Sequence, residues 1–392
     1  MKIALDVRPL LGHARAGVYH YTASLIEALG DVELPGELVL WCTMRTRSAR
    51  ARAFGPDLAR LAQRHRLLVA RCPNALLYTP AALQTWSRWP RSAPVPELLP
   101  PDVGLFHAPF WPVPLSRRTP MVLTVHDLLP HEHPRWFTRR QWIEFRSVLQ
   151  LAGRAAHVIA DSAATKLALL RHTTIAADNV TVVPLAADPL FSLPRDPART
   201  AAVLAQYGIS PPYIVSLGTV EPRKNVGRLL AAYELLHARG ESPPPLVLVG
   251  SMGWNQDDAA KALTRLQEQH RTLALGHVPR EHLPHLLGAA ELLAYVSLGE
   301  GFGLPPLEAM AVGTPVLTSN VSSLPEVVGE AALQVDPLST EAIAEGLRRL
   351  LSDRTLAREF AERGRQRAAE FTWSRTAEQT AQVYRRVLVN AA

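Results

Sequence analysis

Short apolar runs alternate with longer amphipathic stretches along the whole chain. Lys2–Val7, Leu38–Cys42, Leu67–Arg71, Val103–His107, Met121–His126, His157–Ala160 and Val180–Val183 read as one set of buried strands. Tyr213–Leu217, Leu246–Gly250, Leu273–Val278, Leu292–Val296 and Val316–Thr318 form a second set. Between them the pattern predicts helices at Tyr19–Leu29, closed by Gly30, at Phe137–Ala156, capped by Thr138, and from Ser162 to Arg171. Asn225 is expected to cap a helix reaching Arg239, and helices at Glu341–Leu351, Thr355–Glu370 and Ser374–Val389 close the chain. Strands that are apolar throughout, rather than alternating, belong to parallel sheets covered on both faces. The expected fold is therefore α/β, with two doubly wound, Rossmann-like domains facing each other across a cleft. Pro184, Ala187, Asp188 and Pro189 mark the linker, which gives domains 1–185 and 186–373, the helix from about residue 374 packing back on the first.

Ligands of such sheets sit outside the carboxyl ends of the strands, so the loops there carry the chemistry. Strand Lys2–Val7 delivers a segment containing Gly12 and Gly17 to a helix start. TVHDLLP leaves His126 and Asp127 at the tip of the Met121 strand, where a His points into a cleft or satisfies a neighbouring carbonyl. GTVEPRKN puts Arg223 and Lys224 just ahead of a helix N-terminus, which favours anions and phosphate above all; the alternative is a surface pair. EGFGLPPLE follows the Leu292 strand with Glu300 on the loop and Glu308 on the first helical turn. On one continuous helix the two would stand about 12 Å apart. Either both are solvated acids at a helix start, or each accepts hydrogen bonds from sugar and ribose hydroxyls.

Composition narrows the picture. Hydrophobic residues make up 47% of 392 and charged residues 20%, ordinary values for a globular protein with two full cores. No run approaches the about 20 apolar residues of a membrane span, and Asp6 and Arg8 make the N-terminus a poor signal peptide. Two cysteines, Cys42 and Cys72, fit a reducing cytoplasm and supply no zinc-site spacing. The net charge of +7 is uneven: residues 1–185 carry 22 Lys and Arg against 13 Asp and Glu, the remainder 20 against 22. The excess gathers between Arg45 and Arg71 and at Arg88, Arg91, Arg117 and Arg118, partly on a Pro-, Trp- and Arg-rich insertion, Tyr78 to Asp102. Such a half could attract an acidic substrate or an anionic membrane, or be a solvated face. No nucleic-acid module pattern accompanies it.

Taken together, EGFGLPPLE, GTVEPRKN, the stretch LGHVPREHLPHLLGAAELLAYVSL and TVHDLLP resemble a retaining glycosyltransferase of the GT-B fold, glycosyltransferase family four, with a bacterial mannosyltransferase-like branch as the nearest look. The resemblance spans the chain and is strongest from Tyr213 to Pro337. It implies that Arg223 and Lys224 bind the donor diphosphate, that Glu308 bonds the donor ribose, and that Glu300 lies near the donor sugar with Gly301, Phe302 and Gly303. It places Val278 at the nucleobase, His126 near the reacting sugar and Gly17 over the diphosphate, with Gly218 and Leu304 completing the donor-binding set. One departure stands out: where members often carry two adjacent glycines, this chain reads Arg15-Ala16-Gly17-Val18.

The implied reaction moves a hexose of mannose or glucose type from a nucleoside-diphosphate sugar to a saccharide or lipid-linked acceptor in polysaccharide or glycoconjugate synthesis. No Asp-x-Asp pair is present to hold a metal, so no metal or other cofactor is expected, the nucleotide sugar being a co-substrate. Localisation is expected to be cytoplasmic, with peripheral contact at the inner face of an anionic membrane as an option. An epimerase of the same fold and a non-catalytic nucleotide-sugar sensor are the alternatives.

Overall fold

The computed structural model describes residues 1–11, 17–43, 55–70, 72, 97–110, 116, 118–254 and 257–391. Gly12, the Arg15-Ala16 departure, most of the Tyr78–Asp102 insertion, and Arg45, Arg71, Arg88, Arg91 and Arg117 lie outside these residues. Two compact units result: Met1–Leu185 with Thr372–Ala392, and Ala186–Phe371.

In the first unit the described strands are β1 (Lys2–Asp6), β2 (Glu37–Thr43), β3 (Arg66–Ala70), β4 (Val103–Ala108), β5 (Met121–Val125), β6 (His157–Ala160) and β7 (Val180–Val182). They pair in the order β3-β2-β1-β4-β5-β6-β7, all parallel. Val39, Trp41, Phe106, Leu123 and Val158 fill the core against the sheet. The helix Gly17–Leu29 includes Gly17, two residues before the start that the sequence pattern predicts. Thr138 caps Arg139–Ala152 through a reciprocal bond with Gln141, so Phe137 stays outside that helix. A helix at Pro56–Arg64, which the basic composition of its neighbourhood obscures, packs Leu58 and Leu61 inward. The last helix, Trp373–Ala391, belongs to this unit, where Tyr384 Oη meets His107 Nδ1 at 2.7 Å.

The second unit holds β8 (Ile214–Leu217), β9 (Leu246–Val249), β10 (Thr272–Ala274), β11 (Leu292–Tyr295), β12 (Val316–Ser319) and β13 (Leu333–Val335). Their order, β10-β9-β8-β11-β12-β13, is again parallel throughout. β13 is an edge strand of half-buried residues, too short and too little apolar to announce itself in the sequence. The core gathers Ile214, Leu229, Tyr233, Leu248, Leu292, Leu317 and Leu347. In each sheet the strand order reverses once, between β1 and β4 and between β8 and β11, and loops leaving such a reversal diverge and open a crevice. No helix of the described residues is long and apolar enough to cross a membrane.

Candidate functional site

The β8 and β11 loops meet at the reversal point of the second sheet. Beyond β8 the chain makes a tight 3-10 turn, Pro222–Lys224, and enters the helix Val226–Ala238 through Asn225 in the left-handed region (φ 57°). Asn225 is not a side-chain cap. Its Nδ2 instead donates to the carbonyls of Val296 (3.0 Å) and Pro337 (2.8 Å). The Leu298 N–H donates to the Arg223 carbonyl at 2.7 Å, so the two loops are stitched together.

Their side chains converge on Glu300. Arg223 Nη1 donates to Glu300 Oε2 at 2.6 Å, and Lys224 Nζ to Glu300 Oε1 at 2.7 Å. Tyr295 Oη donates to the same Oε1 at 2.9 Å and accepts from Lys224 Nζ, whose ammonium also lies 4.7 Å from the ring centroid. Arg223 Nε lies 2.6 Å from Glu221 Oε1. Burial alone would raise the Glu300 carboxyl, but the charges of Arg223 and Lys224 outweigh it and bring it to about 2. Burial, with Arg223 beside it, pushes the Lys224 ammonium below its ordinary value despite Glu300. Gly218, at φ 128°, lies under the Lys224 stem; a Cβ there would meet Lys224 Cε at 3.2 Å.

The chain then passes Gly301 and Phe302 to Gly303 (φ 119°), where the helix Leu304–Val312 starts. Phe302 is buried edge-on against Phe371, so only its main chain is available to a ligand. A Cβ on Gly303 would lie 2.9 Å from Leu324 Cδ2, a second reason for glycine. Pro305 and Pro306 remove two N–H groups from the first turn, so this helix start has fewer donors for an anion than its position suggests. Ser322 Oγ and Ser323 Oγ both donate to the Glu300 carbonyl, at 2.6 and 2.9 Å, and set the height of the loop.

Glu308 lies on the second turn rather than the first, and is buried. Neither glutamate is a solvated acid at a helix start. Glu308 Oε1 accepts from Arg280 Nη2 at 2.7 Å, and Arg280 Nε donates to Asp188 Oδ2 at 2.9 Å. Burial raises the Glu308 carboxyl, Arg280 opposes that, and the Asp188 charge adds to it; the net direction is up. Val278, outside β10 and with its side chain buried, precedes Arg280 by two residues.

In the first unit His126 lies just past β5. Its Nδ1 lies 2.5 Å from Asp161 Oδ2 and its Nε2–H donates to the Pro109 carbonyl at 2.9 Å. A carbonyl can only accept, so Nε2 carries a proton. Burial would lower its pKa, but Asp161, the Pro109 carbonyl and Asp127 together raise it. Buried His107 goes the other way, pushed down to about 3 by burial and by His126. Gly17 is the first described residue of the first helix of this unit, and among the described residues a Cβ there would meet nothing within 4 Å.

The sequence reading brings together Arg223, Lys224 and Glu300, and misses Tyr295, Glu221, Arg280, Asp188 and Asp161. Arg280, Asp188 and Asp161 act through partners far along the chain, which no local pattern signals, whereas Glu221 and Tyr295 lie two and five residues from Arg223 and Glu300. Among the described residues no group of three or more His, Cys, Asp or Glu could hold a metal ion.

Residues 16–189 match the family described as Glycosyltransferase Family 4, and residues 205–367 the one described as Glycosyl transferases group 1. The O-antigen chain mannosyltransferase B of Escherichia coli is 35% identical over 286 residues, covering 72% of this chain and 74% of that protein. The chain belongs to glycosyltransferase family 4. This family-4 glycosyltransferase, an enzyme of the hexosyltransferase kind, is also similar to the MMP alpha-(1->4)-mannosyltransferase of Mycolicibacterium hassiacum, 31% identical over 70% of this chain and 67% of that one. Its fold is that of Anabaena HepE, solved with UDP and glucose, with a TM-score of 0.70 and 20% identity over 97% of this chain and 98% of the other. The two parallel-sheet units are those of the GT-B fold.

Proposed function

We propose that this family-4 enzyme is a retaining hexosyltransferase that moves a mannose- or glucose-type sugar from a nucleoside-diphosphate donor to a saccharide or lipid-linked acceptor, without a metal. The observation that carries the proposal is the pair of cations, Arg223 and Lys224, converging at the reversal point of the second sheet. Departure of a nucleoside diphosphate builds negative charge on the β-phosphate, and fixed cations there stabilise the transition state. The likeness to mannosyltransferases supports a hexosyl donor, and the likeness to HepE, solved with UDP and glucose, supports a nucleotide sugar.

In this reading the diphosphate competes with Glu300 for Arg223 and Lys224, and the released carboxylate turns to the sugar hydroxyls. The bond from the anomeric carbon to the β-phosphate oxygen breaks. The acceptor oxygen bonds to the same face of that carbon, and its proton passes to an oxygen of the departing phosphate. Glu300 and Glu308 are not a glycosidase acid and nucleophile, since Glu308 serves the ribose, away from the anomeric carbon. His126 is the contribution of the first unit, its Nε2–H turning from Pro109 to a sugar oxygen. Val278 and the backbone of Gly301 to Leu304 line the donor, Gly17 and Gly218 border the diphosphate, and the first unit takes the acceptor. A peripheral contact of the basic first half with an anionic membrane carrying the acceptor belongs to the same reading.

The test is incubation with UDP- and GDP-hexoses in EDTA, with saccharide and lipid-linked acceptors. Acceptor-dependent release of nucleoside diphosphate is expected, with the donor's anomeric configuration kept in the product by NMR. Absence of such release for every donor sinks the reading, an inverted product sinks retention, and a need for added divalent cation sinks the metal-free chemistry.

A further inference from the structure

We propose that Arg280 is a positioning residue of the nucleoside subsite, which holds Glu308 as a carboxylate with one oxygen bonded, so that the other is presented to the ribose diol of the donor. This rests on the reading of Glu308 as the ribose contact. The geometry that carries it lies wholly within the second unit. The Arg280 guanidinium bridges two carboxylates, with Nε on Asp188 Oδ2 at 2.9 Å and Nη2 on Glu308 Oε1 at 2.7 Å. Its carbon lies 5.2 Å from the Phe191 ring centroid, so a flat aromatic surface limits its tilt. Asp188 is itself immobilised, because its Oδ1 accepts the Leu190 N–H at 3.0 Å. The chain from backbone to Asp188 to Arg280 to Glu308 is thus fixed at each link. Among the described residues, Oε1 is the only Glu308 oxygen with a side-chain partner.

The charges explain why an arginine is needed there. Glu308 is buried, and the charged groups that face it are Arg280 and Asp188. Burial and Asp188 both favour the neutral acid; Arg280 alone opposes them. A carboxylate accepts hydrogen bonds from two vicinal hydroxyls, whereas a neutral carboxyl spends one oxygen as a donor. Arg280 also follows Val278 by two residues, so the loop assigned to the base and the helix assigned to the ribose are tied by one side chain.

The experiment is calorimetric binding of UDP and GDP and their 2′,3′-dideoxy forms to the intact protein and to Arg280→Met, Arg280→Lys and Glu308→Gln, each between pH 6 and pH 9. The wild type is expected to prefer the ribonucleotide by about tenfold or more, the worth of a hydrogen bond to a charged group. Glu308→Gln should lose that preference at every pH. Arg280→Met should lose it at pH 7 and regain it as rising pH ionises Glu308, with Arg280→Lys intermediate. Affinity for the dideoxy form, held through the diphosphate, should stay constant and so certifies that each variant is folded. A wild-type preference in Arg280→Met at pH 7, with Glu308→Gln indifferent, overturns the role of Arg280 and leaves the ribose contact standing. A loss in Arg280→Met that is identical at every pH also overturns it. No preference in the wild type overturns the ribose reading itself.

Discussion

Glu300 and Glu308 belong to one short segment, are both almost fully buried, and are both bonded to an arginine, yet they titrate in opposite directions. The difference lies in the company each keeps. Glu300 faces Arg223 and Lys224, and the combined positive charge outweighs the burial that would raise it. Glu308 faces one cation that it shares with Asp188, and burial prevails. The loop therefore holds a fixed anion among cations, and the helix holds a carboxyl that one guanidinium must keep charged. The same residue type, eight positions apart, is set up as a counter-ion in one place and as a tunable acceptor in the other.

The largest expected effect comes from deleting the cations that define the loop. Arg223→Ala with Lys224→Ala should lower kcat by about a thousandfold or more while the protein stays folded, because loss of one such group costs about 3 kcal/mol of transition-state stabilisation. Steady-state turnover beside circular dichroism checks this, and near-normal turnover would contradict the role of the pair.

Next in size is the contrast in stability. Removing one partner of a buried ion pair strands the other, at a cost of about 3–5 kcal/mol. Glu300→Gln leaves two cations without their shared anion and should approach that range. Glu308→Gln leaves Arg280 with Asp188 and should cost about 1–2 kcal/mol. Their pH dependences should also oppose. The depressed carboxyl of Glu300 stabilises the fold above its ordinary 4.5, and the gain is lost as pH falls toward about 2. The raised carboxyl of Glu308 binds its proton more tightly when folded, so its contribution is largest below its ordinary value and fades as pH rises. Urea denaturation of the wild type and both variants at several pH values reads this directly, and parallel curves would break the comparison.

The smallest effect probes a group that joins the two cations to their anion. Tyr295→Phe removes only the hydroxyl that bonds Lys224 and Glu300, and should lower kcat about tenfold with an unchanged fold, as expected for a hydrogen bond to charged partners worth about 1.5 kcal/mol. Unaltered kcat would make Tyr295 a packing residue.

Much of the fold was legible because each buried strand is a short apolar run cut off by turn residues, and the helices between carry their caps in plain view, as at Thr138 and Ser162. β13 escaped because half-buried Leu333, Gln334 and Val335 lack that signature. Arg223, Lys224 and Glu300 could be found because they crowd two glycine- and proline-marked loops. Arg280 and Asp161 could not, since what makes them matter is a carboxylate or an imidazole brought near by the fold. Asn225 was misread for the same reason: its position is that of a cap, but its amide is taken by the carbonyls of Val296 and Pro337.

That side chain has a consequence for motion. Asn225 and the Leu298 amide join the β8 loop to the β11 loop at two points, and Asn225 ties it at a third to Pro337 after β13, so neither loop can lift without breaking bonds held by the other. Local opening here is cooperative, a single unit that is wholly closed or wholly released. The spacing between Arg223, Lys224 and Glu300 is therefore preserved through ordinary fluctuations, and each closure restores the whole arrangement at once.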